Sequence, residues 1–364
     1  MKRILYAFLA TMVTSGAATA QSQGGATDPH FSQFYAAPLL LNPALTGAMK
    51  CNYRLTAIFR GQWGSVLKDE ATPMFQTPSA SLDFRTNRAF GKQDAFGFGF
   101  AFMNDKAGQS RYQTNLFNLS LAYHKSLDRR AEHFLSLGFG VQILQRSIDY
   151  RGLQWGAQND NGTYNPLLPT GEFLVNNNFL IADVVNFGLL YTGKFGRRSS
   201  GYVGFSAFHM TRPKESFLGD NSVRIPMKFT AHAGFRFPIK GRFDLQPKVI
   251  YMNQGVSHEL NPGFDIRILF EEREPEGNNF RFGLMYRVVG GDAKAAWKDG
   301  QLNSEAVIIN AGVEFNNLNI GFAYDVNVSQ LVQGSRSQGA FELAASYVGC
   351  FKKRRPQTIY CPKF

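Results

Sequence analysis

Between residues 52 and 351 the chain consists of short stretches in which large apolar residues alternate with small or polar ones, each bounded by turn residues. Phe96-Gly97-Phe98-Gly99-Phe100-Ala101-Phe102 is the plainest of them. In an extended strand successive side chains point to opposite faces, so the four Phe share one side and only small groups occupy the other. A soluble sandwich can carry a few such stretches. About fourteen of them behind an export signal predict a membrane-spanning antiparallel β-barrel, since only alternate residues of a barrel strand meet lipid.

The export signal is residues 1–20. Lys2 and Arg3 supply the charge, Ile4 to Val13 the apolar core, and Ala18-Thr19-Ala20 the small-residue cleavage site. That core is too short to span hydrocarbon, and no later window approaches the roughly twenty apolar residues of a membrane helix. Phe179 to Tyr191, the most apolar stretch, is interrupted by Asp183 and Asn186. The net charge of +12 raises nucleic acid as a partner, but Lys and Arg are dispersed and cluster only at Lys352-Lys353-Arg354-Arg355. Dispersed charge on an exported chain gives no nucleic-acid footprint.

Strands are predicted over 52–63, 78–87, 95–104, 112–125, 133–146, 179–194, 201–212, 227–238, 242–253, 262–270, 279–289, 304–315, 318–328 and 339–351. Their faces sort consistently. Leu135, Leu137, Phe139, Val141 and Ile143 oppose Ser136, Gly138, Gly140 and Gln142. In the last strand Phe341, Leu343, Ala345, Tyr347, Gly349 and Phe351 share a face and end on an aromatic. The connections alternate in length. Those at 88–94, 127–132, 195–200, 239–241, 271–278 and 316–317 are mostly short, and those at 64–77, 147–178, 213–226, 290–303 and 329–338 are longer. Short turns on the periplasmic side and long loops outside are the outer-membrane pattern, and an even strand number then predicts that both termini are periplasmic. The organisation expected is therefore a signal at 1–20, a plug-like segment at 21–50, an outer-membrane barrel at 51–351 and a basic periplasmic tail at 352–364.

Residues 21–50 contain Pro29, Pro38 and Pro43 and are too apolar to hang free in water, so they are expected to pack in the lumen or its periplasmic mouth. The inward faces of the strands carry both signs of charge. Arg54, Arg60, Asp83, Arg85, His232, Arg267, Arg281, Glu314, Asp325 and Glu342 are expected to form a pairing network. Interleaved signs argue against the single-sign rings of a selective pore. The three cysteines allow one disulfide after export, with Cys350–Cys361 preferred as a local closure and Cys51–Cys350, at the barrel seam, the alternative.

No catalytic constellation is present. The chain has no nucleophile elbow, His-Glu-x-x-His, paired Cys-x-x-Cys or phosphate loop, so no enzyme activity, cofactor or metal is expected. His124 and His232 share faces with small and polar residues and read as lumen hydrogen-bonding groups. The long 147–178 loop carries Tyr150, Trp155, Tyr164, Leu167 and Leu168. These five, with Lys352, Lys353, Arg354 and Arg355, are the candidate partner-binding residues.

Several motifs together resemble the PorP/SprF family of type IX secretion membrane proteins. They begin with Asp28-Pro-His-Phe-Ser-Gln-Phe-Tyr35 and Leu41-Asn-Pro-Ala-Leu-Thr-Gly47, followed by Tyr53-Arg54 and Arg60-Gly-Gln-Trp63. Gly204-Phe-Ser206, His209, Pro213-Lys-Glu-Ser-Phe217, Tyr324-Asp-Val-Asn-Val-Ser329, Gly339-Ala-Phe-Glu342 and Cys361-Pro-Lys-Phe364 continue the match over essentially the whole mature chain. Gly61 stands where a polar residue is expected. The resemblance implies an outer-membrane component of the secretion and gliding machinery that assists export or surface attachment of adhesins through their C-terminal domain. It also implies contact with a periplasmic peptidoglycan-binding lipoprotein. The rival reading is a porin or solute transporter.

Overall fold

In the computed structural model, residues 27–351 are described apart from 65–66, 68–72, 88–92, 151–152, 161, 172–176, 218–219, 273–276, 291–302, 330–334 and 336. The expected signal, the basic tail with Lys352 to Arg355, and Cys361 lie outside the described residues.

The alternation closes into one antiparallel barrel of fourteen strands. They are β1 (Tyr53–Gln62), β2 (Phe75–Asn87), β3 (Ala95–Ala107), β4 (Tyr112–Ser126), β5 (His133–Ser147), β6 (Asn178–Lys194) and β7 (Ser200–Phe208). β8 (Lys228–Lys240), β9 (Phe243–Gln254), β10 (Ser257–Leu269), β11 (Asn279–Gly290), β12 (Asn303–Phe315), β13 (Leu318–Asn327) and β14 (Gln338–Gly349) complete the wall. Each strand pairs with its sequence neighbours, and β14 pairs with β1 from Tyr53 opposite Gly349 to Gln62 opposite Ala340. Closure leaves no edge in the hydrocarbon, where an unpaired backbone group costs several kcal/mol (about 2–7).

Two boundaries differ from the sequence reading by more than three residues. β7 stops at Phe208 because His209 adopts a left-handed φ of 56°. β10 begins at Ser257 because Gly255, at φ 60°, makes a tight turn and Pro262 sits inside the strand. The ladder from β10 to β11 is interrupted at Asn261 and Pro262, so the missing proline N–H removes no bond there. The loop after β5 also holds a small hairpin, Asn159–Asp160 with Thr163–Tyr164.

The outward face is apolar: Phe98, Phe100, Phe102, Leu137, Phe139, Phe282, Phe322 and Leu343 are all exposed. Gly61 is also on this face, where the Phe341 ring covers it. The inward face is largely polar, and among the described residues the extensive apolar burial is between the wall and residues 31–49. Phe34, Tyr35, Leu41, Ala44 and Leu45 cluster with Phe134, Leu190, Tyr202, Ile250 and Met285. Phe31, Ala36 and Ala37 cluster with Ile58, Met103, Leu116 and Ile181.

Residues 28–50 traverse the lumen from one mouth to the other. Asp28 donates its N–H to Gln254 Oε1 at the long-loop end of β9 (2.8 Å), whereas Arg85, near the short-turn end of β2, donates to the Met49 carbonyl. Asp28 and Phe351 therefore lie at opposite mouths. The expectation that both termini are periplasmic fails for the described chain, because strand parity does not count this extra crossing.

The preferred disulfide also needs correction: Cys51 is bonded to Cys350, with Cα atoms 4.9 Å apart. The two flank the Tyr53–Gly349 pair, and ranking by sequence separation ignored the closure that brings positions 299 apart together. Tryptic mapping without reductant is expected to recover one linked peptide pair containing Cys51 and Cys350. Cys51→Ser is expected to lower the unfolding temperature in detergent by several degrees, since a long closed loop contributes up to about 5 kcal/mol in the chain-entropy account.

Candidate functional site

The feature with functional potential is the interface between the lumen-crossing segment and the inner wall. The segment turns three times, at Phe34–Ala36, Pro38–Leu41 and Pro43–Leu45. Pro38 and Pro43 each begin a helical turn, where the absent proline N–H costs no bond. Asn42 accepts from Ala44 N at 2.9 Å, while its amide donates to the Leu189 and Phe205 carbonyls and lies 3.1 Å from His232 Nε2. Ser206 donates to the Leu41 carbonyl (2.8 Å), and the His124 ring is 2.8 Å from the Thr46 carbonyl.

The small residues alternating with Phe and Leu in the wall make this approach sterically possible. A Cβ at Gly97 would collide with the Thr46 carbonyl, one at Gly138 with the Pro43–Ala44 peptide, and one at Gly188 with Asn42 and Ala44. The glycines on the lumen side of β3, β5 and β6 thus admit backbone against backbone.

Two charge clusters anchor the ends of the crossing. Near the long-loop mouth, Glu342 accepts the N–H groups of Ser32 (2.6 Å) and Gln33 (2.8 Å). Arg60 reaches Glu342 at 2.5 Å and Asp325 at 3.1 Å, and Arg287 reaches Asp325 at 2.9 Å. The Ser32 hydroxyl donates to Asp325 (2.8 Å) and accepts from Arg60 (2.7 Å), so a neutral residue of the segment sits at the centre of the network. Near the short turns, Arg54 pairs with Asp83 at 2.8 Å and donates to the Leu45 carbonyl, while Asp83 accepts from Gly47 N at 2.7 Å. All of these charged groups are buried, and buried ions stabilise only when paired and fully hydrogen-bonded.

Other predicted residues stand apart from the segment. Arg267 pairs with Asp244 at 2.9 Å, Arg281 with Asn319, and Glu314 accepts from Asn279 at 3.0 Å, all among wall strands. In the loop between β5 and β6, the Tyr150 and Trp155 rings are 6.4 Å apart, the Leu168 carbonyl accepts from Gln158, and Leu167 is 91% exposed. Tyr164 lies on the small hairpin.

Sequence reasoning missed the latch at the long-loop mouth. His209 lies 2.7 Å from Asp28 and 2.9 Å from Asp183, and Lys228 is 3.9 Å from Asp28. Burial works against a charged His209, but Asp28 and Asp183 outweigh it and raise the imidazole to about 9. Burial likewise opposes charge on Asp28, yet His209, Lys228 and Arg146 hold its carboxyl well below the usual range. A left-handed residue between a strand and a long loop leaves no sequence signature, so only the family motifs that contain Asp28 and His209 hinted at this site. A cavity of about 470 Å³ opens beside the latch, lined by Asp28, His30, Arg60, Lys228, Glu259 and Arg287. Among the described residues, no group of three or more His, Cys, Asp or Glu could hold a metal ion, and no helix is long and apolar enough to cross a membrane.

Gly138→Leu is expected to force the segment off the wall, at a cost of about 1–3 kcal/mol from overpacking or more if the backbone cannot shift. Faster proteolysis of residues 28–50 in detergent and new channel openings in planar bilayers are the readouts. The latch sets a pH response. Because His209 is raised from its ordinary 6.5 to about 9, its stabilisation is complete below the ordinary value and lost as pH rises through the folded one. The wild-type unfolding temperature is therefore expected to fall between about pH 7 and about pH 10, and His209→Gln to flatten that decline.

The family model described as type IX secretion system membrane protein PorP/SprF matches residues 23–347. No curated protein matches the chain. Among solved structures, the Ralstonia pickettii toluene transporter TbuX is similar at 11% identity and a TM-score of 0.48, over 93% of this chain and 99% of that one. The CymD monoaromatic hydrocarbon channel is similar at 10% identity and a TM-score of 0.47, over 91% and 97%. A Pseudomonas aeruginosa FadL homologue is similar at 13% and 0.45, over 87% and 94%.

Proposed function

The chain belongs to the PorP/SprF family of type IX secretion system membrane proteins, and from that premise we propose a non-enzymatic role in assisting export or surface anchoring of an adhesin-like cargo. The observation that carries this reading beyond family membership is the occupied lumen. Residues 31–49, all but the half-buried Leu40, are buried across its length and tied to both ends of the wall by Glu342, Asp325, Asp83 and Arg54. A barrel filled in this way has given up the water channel of a porin, and its useful surfaces are the loops and the two mouths.

The barrel and the family place the protein in the outer membrane. With short turns on the periplasmic side, the Asp28 end of the crossing faces outward with the long loops, where an adhesin C-terminal domain would dock. Tyr164 and Leu167 present apolar surface on that side. The Gly349 end of β14, opposite Tyr53, then opens to the periplasm, where a peptidoglycan-binding lipoprotein of the secretion machinery is the partner to be met. The porin or transporter reading draws on the mouth cavity alone, which ends on the packed segment.

Deleting the gene is expected to abolish surface display or release of the adhesin while uptake of small nutrients stays normal. Normal display combined with impaired uptake would overturn the proposal in favour of transport.

A further inference from the structure

Around the long-loop rim, neighbouring strands rise together. Gln62 faces Phe75, Ala107 faces Tyr112, Ser147 faces Asn178, Phe208 faces Lys228 and Gln254 faces Ser257. Between β6 and β7 there is a step. Their pairing stops at Phe187 opposite Ala207, whereas β6 runs on to Asn178 with β5 alone beside it. Met210 N reaches the Val185 carbonyl at 3.4 Å, and above that no strand of the described residues pairs with β6 on the β7 side.

The step is built into the structure. At His209 the backbone turns left-handed, and its N–H donates to Asn186 Oδ1 (2.9 Å) and Asp183 Oδ2 (3.2 Å). Its ring is held by Asp28, so the chain after Phe208 leaves the line of β7 and does not continue along β6. The inner side of the free stretch is braced: Phe179 packs edge-on against Phe217 at 4.7 Å, and Ile181 is buried with Ile225 and Leu144. On the outer side Leu180 is 72% exposed and Ala182 is exposed, with Met210 exposed beside them. Edges that must stay free are normally guarded by lysine, proline or an inward charge; Asn178-Phe179-Leu180-Ile181-Ala182 carries none of these.

We propose that this free edge of β6, Asn178–Ala182, is a strand-addition site for an extended segment of another protein. Its occupant aligns with β6 through main-chain hydrogen bonds and places apolar side chains beside Leu180 and Ala182. A second copy does not fit. Antiparallel pairing of two β6 edges would invert one barrel in the membrane. Two copies related by an axis along the membrane normal would cross their strands at about 70–90°, twice the usual tilt. The chain upstream of Thr27, Gln21-Ser-Gln-Gly-Gly-Ala26, lacks the apolar alternation an occupant needs.

The test uses the full chain in detergent and a labelled synthetic peptide copying Val141–Ser147, which already complements β6 along its other edge. Saturable binding is expected, with about tenfold slower hydrogen exchange at the amides of Asn178–Ala182 that face away from β5. A peptide N-methylated at alternate residues cannot form the ladder and is expected not to bind. Leu180→Lys with Ala182→Lys guards the edge, and is expected to weaken binding by about tenfold while the barrel keeps its heat-modifiable gel mobility. Equal binding of the N-methylated peptide would overturn the proposal. So would full protection of those amides in the free protein, or a dimer that the peptide dissociates.

Discussion

A backbone surrounded by hydrocarbon must find every hydrogen bond within the protein, and closure of β14 on β1 satisfies that demand. The rest of the structure follows from it. Fourteen strands enclose an interior wider than their own side chains can fill, and many inward positions of the alternating pattern are small or polar, with apolar ones such as Phe134, Leu190 and Ile250 among them. Such an interior is either a water channel or a second surface against which something else packs. Residues 28–50 take the second course. The apolar core of this protein therefore lies between wall and segment, and the wall strands make no core among themselves.

The same packing explains why the lumen charges come in mixed sign. Arg60, Arg287, Asp325 and Glu342 are all buried, and wall groups alone would leave carboxylate lone pairs without donors. Ser32 and Gln33 supply these through two backbone N–H groups and a hydroxyl. Wall and segment are each incomplete without the other, which makes the segment a structural member of the barrel. Removing Arg60 alone would strand part of a buried anionic pair, the kind of loss that costs about 3–5 kcal/mol.

The barrel was legible in the sequence because lipid imposes period two on every strand, and a signal repeated fourteen times survives errors at any one boundary. Faces such as Leu135 to Ile143 could be assigned without coordinates for that reason. Loops and long-range closures leave no comparable periodicity. Cys51 and Cys350 are far apart along the chain but adjacent across the seam, so loop entropy pointed to the wrong partner. Strand parity placed both termini on one side because the lumen crossing, broken by Pro29, Pro38 and Pro43, contains no strand to count. The Asp28–His209–Asp183 latch depends on one left-handed residue that propensity does not foresee.

The Phe96–Phe102 alternation is a constraint from both sides at once. Its phenylalanines meet lipid, and its small residues are fixed by the segment, since Gly97 lies against Thr46 and Gly99 against Leu39 and Thr46. The latch extends the same logic to the rim. Asp28, the first anchored residue of the crossing, holds the turn that ends β7 and so creates the step beside β6. The filled lumen and the bared edge thus meet at one contact. A strand arriving at β6 would be read by a wall whose shape the segment has already set, which couples the plugged interior to the outer rim without any motion through the barrel.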